Sequence, residues 1–97
     1  MRVELLESAH EDIVDAYWFY ERQQVGLGDY FADSIYADLE SLAFFAGTHR
    51  QVFGYYKMLA ARFPYSAYYR ISGDVVQVYA VLDNRCDPMN AVARLMD

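Results

Sequence analysis

The sequence predicts an α+β domain with the element order β-α-α-β-β-β-α, a helical hairpin packed on an antiparallel sheet. Three observations predict it. Apolar residues recur at helical spacing through the first 46 residues. From Tyr55 onward the pattern changes to short β-rich runs separated by turn residues. Gly26-Leu27-Gly28 stands between the two helical stretches as a reversal signal.

Each element has its own justification. Val3 to Leu6 reads as a short first strand. Ser8 with Glu11 three residues later forms a capping-box pattern that starts a helix. Ile13, Ala16, Tyr17 and Tyr20 give that helix one apolar face, and Val14 with Trp18 gives it a second stripe at i, i+4. A helix apolar on two faces is buried on both, or buried on one and bound on the other. Gly26 suits a left-handed cap and Gly28 a tight reversal. The second helix is expected from about Asp29 to Phe45. Phe31, Ile35, Leu39, Leu42 and Ala46 form its core stripe, and Asp33, Asp38 and Glu40 its wet face; Gly47 closes it. Tyr55 to Ala60 and Ser66 to Ile71 read as strands, joined to Val75–Leu82 by the Ser72-Gly73-Asp74 turn. In this last strand Val76, Val78, Ala80 and Leu82 fall on one face and Val75, Gln77, Tyr79 and Val81 on the other, a pattern for a central strand covered on both sides. Asp87 with Pro88 opens a short final helix, whose buried side is Ala91, Val92 and Leu95.

Composition limits the function. Ninety-seven residues make one domain, 1–97. Apolar residues are 56% of the chain, more than a domain of this size can bury, and ten tyrosines add large contact area with a polar end. A partner-covered surface follows. Residues 1–46 hold Arg2 and Arg22 against ten acids, a balance of −8. Residues 47–97 hold six cations against four acids, a balance of +2. This distribution disfavours strong direct nucleic-acid binding. The charged start lacks a long apolar region, so no signal peptide is expected, and no apolar run is long enough for a membrane span. A single cysteine, Cys86, excludes an internal disulfide and suits the cytoplasm. His10 and His49 stand apart, so no metal site and no cofactor are expected.

The stretch Arg62-Phe63-Pro64-Tyr65, the Tyr68-Tyr69 strand, the glycine turn followed by Phe31, and the exit Arg85 then Asp87-Pro88 occur in an order that resembles RelE/ParE-type toxins of bacterial type II toxin–antitoxin systems. The resemblance covers nearly the whole chain and leans to the ParE branch through Arg-Phe-Pro-Tyr. It implies a toxin that binds a protein target, DNA gyrase, and is neutralised by the tail of a ParD-like antitoxin. Lys57, Arg62, Tyr65, Arg85 and Arg94 are then the target-binding candidates, and Val14, Trp18 and Tyr36 the antitoxin-binding candidates. The alternative branch is a RelE-like ribosome-dependent mRNA endonuclease. That activity needs donors to activate the 2′-oxygen and neutralise the phosphorane. Lys57 and Arg85 stand at basic positions of that pattern, whereas Leu59 and Ser66 replace two others and no Tyr follows Tyr79; enzymatic activity is not expected. A non-toxic module that only binds an antitoxin is the third reading. For Arg62 a structural pairing with Asp83 or an acid of the first helix stands beside the target-binding reading, as ordinary packing does for Tyr65 and Trp18.

Overall fold

Eight elements form, and the computed structural model of the chain describes residues 1–96, leaving Asp97 outside the described residues. In order they are β1 (Arg2–Leu5), α1 (Glu7–Glu21), α2 (Leu27–Phe45), β2 (Arg50–Val52), β3 (Tyr55–Leu59), β4 (Tyr65–Ser72), β5 (Val75–Asp83) and α3 (Pro88–Leu95). The α+β class and the helical hairpin on a sheet are as expected. Two details differ. The sheet has five strands in the order β1-β5-β4-β3-β2, and it is mixed, because β1 runs parallel to β5 while the other pairs are antiparallel. The added strand, β2, is only three residues long and forms because Phe53 and Gly54 make a two-residue turn with positive φ at both positions. That geometry matches the twist of the flanking strands.

The capping box at Ser8 and Glu11 does not form. The Leu6 amide still donates to Val78 O at the end of β1, so the helix starts at Glu7 without a side-chain cap. The Ser8 hydroxyl instead donates to the Tyr79 carbonyl at 2.7 Å and ties α1 to β5. Ala9, Ile13, Ala16 and Tyr20 are the buried residues of α1.

The hairpin reversal is held by a side chain that the sequence pattern did not single out. The Glu21 carboxylate accepts from the amides of Gly26 (3.1 Å) and Gly28 (3.0 Å), placing an anion against the donors at the start of α2. Gly26 is left-handed, with φ 91°, as its cap role requires. Gly28 is not a reversal residue: it lies within α2, where a Cβ would sit 2.7 Å from the Tyr17 carbonyl oxygen. Its absent side chain lets the two helices approach. Asp38, expected on the wet face of α2, is half-buried and accepts from the Ala61 amide at 3.0 Å.

The faces of β5 exchange part-way along. Tyr68 pairs with Ala80 but Tyr69 with Val78, so Tyr79 is an extra residue on β5. This bulge breaks the strict alternation read from the sequence. Val76, Val78 and Val81 enter the main core with the helical hairpin, while Ala80 joins Tyr55, Tyr68 and Leu95 in a small second cluster beneath α3. The hairpin therefore covers one face of the sheet and α3 part of the other. The main core ends in an aromatic cluster of Tyr20, Phe31, Phe63 and Tyr65, with ring centroids of contacting pairs 5.0–6.3 Å apart.

Candidate protein-interaction site

On α1, the residues that face the core leave Val14 and Trp18 one turn apart on the outside. They are 39% and 49% exposed, and Tyr36 of α2 is 37% exposed. Tyr17 packs edge-on against Trp18 with ring centroids 5.0 Å apart, which orients the indole without covering it. An exposed Trp with an apolar neighbour on a packed helix is the kind of anchor that partner surfaces use.

The cationic candidates divide. Arg85 leaves the end of β5 and folds back on Asp83: its Nε and Nη2 donate to the two carboxylate oxygens at 3.0 and 2.8 Å, and its amide donates to the same carboxylate. These bonds hold the Asp83 carboxyl below the usual range, against the opposing pull of partial burial. They likewise raise the Arg85 guanidinium. Arg85 Nη2 also reaches the Tyr20 hydroxyl at 3.4 Å. Arg62 does not take Asp83, whose carboxylate is already matched by Arg85. It is exposed in the loop between β3 and β4 and makes no ion pair among the described residues.

Tyr65 is 7% exposed and belongs to the aromatic cluster. Burial pushes its phenol well above the ordinary value, with Tyr20 and Asp83 adding to the shift. Its ring packs on Tyr20 and Phe31, and its backbone pairs with Asp83 across β4 and β5.

Arg94 of α3 makes two bonds to Asp12 of α1, at 2.8 and 2.9 Å, and Asp12 also accepts from the Val81 amide at 3.0 Å. Asp12 thus links both helices to β5. Lys57 lies 5.9 Å from the Tyr68 ring centroid on the α3 side of the sheet. It lines a cavity of about 250 Å³ shared with Asn84, Pro88 and Val92. The structure therefore groups Lys57 with the loop carrying Arg85, places Arg94 beside the same loop in a cavity of about 160 Å³ with Asp83 and Cys86, and sets Arg62 apart.

Two residues escaped the sequence pattern. Arg70 stacks over the Tyr55 ring, 4.1 Å from its centroid, and lies 5.4 Å from that of Tyr79. Phe19, half-exposed, walls an open groove beside β5. Alternation along β4 puts Arg70 on the face of Tyr68, but its contact with Tyr79 depends on the bulge. Among the described residues no group of three or more metal-ligating side chains occurs, and no helix is long and apolar enough to cross a membrane.

A helical hairpin on one face of a mixed five-stranded sheet, with a short helix on the other, is the RelE/ParE-like fold. The solved structure described as the chromosomal ParDE TA system from P. aeruginosa contains a chain of this architecture. It matches 84% of this chain and 92% of its own length, with a TM-score of 0.76 and 20% sequence identity. No protein-family model matches the chain, and no curated protein matches it.

Proposed function

We propose that the chain is the toxin half of a type II toxin–antitoxin pair of the ParE kind, acting in the cytoplasm by binding a protein target, DNA gyrase, rather than by catalysis. The observation that carries this reading is the fold shared with a chain of the solved ParDE system. The cognate antitoxin is ParD-like, and its tail docks on the outer stripe of Val14, Trp18 and Tyr36, whose exposure suits a partner-covered surface. Target binding involves Lys57, Arg62, Arg85 and Arg94, with Tyr65 placed opposite Asp83, the ion-pair partner of Arg85. A binding role fits these cations better than RNA cleavage does, since Arg85 and Arg94 already serve Asp83 and Asp12.

Inducible expression in a bacterium without the antitoxin tests the reading. Growth arrest with a DNA-damage response and intact mRNA is expected. Cleaved mRNA would favour the endonuclease reading, and normal growth with abundant soluble protein would leave only the antitoxin-binding module. Arg85→Ala is expected to abolish the arrest while the protein stays folded; full toxicity would show that the wrong surface was chosen. Trp18→Ala is expected to weaken antitoxin binding by about 2 kcal/mol or more, and unchanged titration calorimetry with the folded variant would refute the stripe.

A further inference from the structure

The last third of β5 has no neighbouring strand on one side. β1 stops pairing at Leu5 opposite Val78, and the Leu6 amide makes the final bond to β5. Beyond the bulge, the Asn84 amide donates to Pro64 O, so alternate residues from Ala80 bond to β4 while the backbone of Val81 and Asp83 turns to the open side. The Val81 amide confirms this by donating to Asp12. The Val81 carbonyl and the Asp83 amide remain directed at a groove of about 340 Å³ between α1 and the end of β5.

We propose that this groove is a docking site for an extended segment of a partner protein, added as a short strand parallel to β5 in line with β1. In a parallel ladder one residue of the incoming strand donates to one carbonyl and accepts from the amide two residues on. Val81 and Asp83 offer that pair, while the Val81 amide stays with Asp12. Ala16, Phe19 and Leu82 supply apolar walls for side chains of the segment. Asp15 lies at the rim, exposed, and makes no ion pair among the described residues, whereas Asp12 and Asp83 are matched by arginines. The segment is therefore apolar at alternate positions and carries a Lys or Arg opposite Asp15. This surface lies on the β5 side of α1, apart from Val14 and Trp18, and it does not depend on whether the chain is toxic.

The test is selection of short random peptides displayed on phage against the folded protein, followed by amide NMR with the enriched peptides. Enrichment of basic sequences with apolar residues at a spacing of two is expected, with slowed exchange at the Asp83 amide on binding. Phe19→Asp should weaken binding about tenfold or more, whereas Phe44→Asp, an exposed aromatic elsewhere, should leave it unchanged. Asp15→Lys should weaken it about two- to fivefold, and it carries the test if Phe19→Asp fails to fold. No enrichment, helical spacing in the selected sequences, or binding indifferent to both groove variants would overturn the proposal.

Discussion

Gly28→Ala is the substitution that most directly examines how the hairpin is built. In an ordinary helix interior the change should stabilise by about 0.5–1 kcal/mol, because alanine loses less backbone entropy. Here the new Cβ would meet Tyr17 O at 2.7 Å, Tyr17 Cε2 at 2.9 Å and Glu21 Cβ at 3.0 Å. The first is a backbone atom and cannot rotate away, so relief requires α1 and α2 to separate. Overpacking of this kind costs roughly 1–3 kcal/mol. Separation also stretches the bond from the Gly28 amide to Glu21. The balance is a net loss of about 1–2 kcal/mol, a fall of roughly 5–15 °C in thermal midpoint for a domain of this size. Urea denaturation followed by far-ultraviolet circular dichroism measures it. Gly26→Ala is the contrast: nothing lies within 4 Å of its Cβ, and the loss, about 1 kcal/mol, comes from its left-handed backbone. Asparagine should therefore be milder than alanine at position 26 and worse at position 28. A Gly28→Ala protein as stable as the parent would refute the close-packing account.

Two further outcomes follow from the polar contacts. The buried Tyr69 hydroxyl accepts from the Gly47 amide at 2.9 Å and lies 2.5 Å from His49 Nδ1; Tyr69→Phe should cost about 1–2 kcal/mol in urea denaturation, and a neutral result would mean that water replaces both bonds. The Asp83 carboxyl titrates lower in the folded chain than in the unfolded one, so its stabilising contribution is present above the unfolded value near 3.8 and is lost as pH falls through the folded one. Asp83→Asn should therefore flatten the decline in denaturation midpoint between about pH 5 and pH 2, and an unchanged acid limb would show that other carboxylates control it.

Much of the fold was legible because the relevant signals are local. Phe31, Ile35, Leu39 and Leu42 mark the core face of α2 by spacing alone, and all four are buried. Asp87 caps α3 by accepting from the Met89 amide at 2.9 Å, as Asp-Pro announces. The second stripe of α1 was also readable, since Val14 and Trp18 cannot share a helix face with Ile13 and Ala16. The candidate site was less legible. Tyr65 stands in a motif that draws attention to it, yet its burial depends on Tyr20, Phe31 and Phe63 arriving from other elements. Arg85 and Arg94 look like available cations until Asp83 and Asp12 are placed beside them.

Periodicity, turn chemistry and charge order are properties of neighbouring residues, so the chain specified its helices, most of its strands and the class of its fold without reference to packing. Register and long-range pairing are not local. The parallel placement of β1 on β5, the extra residue at Tyr79, the approach of Gly28 to Tyr17 and the bridging of α1, α3 and β5 by Asp12 each join segments distant in sequence. Only when the hydrophobic faces are buried together does one register become better than its alternatives, and only then are the partners of these residues decided.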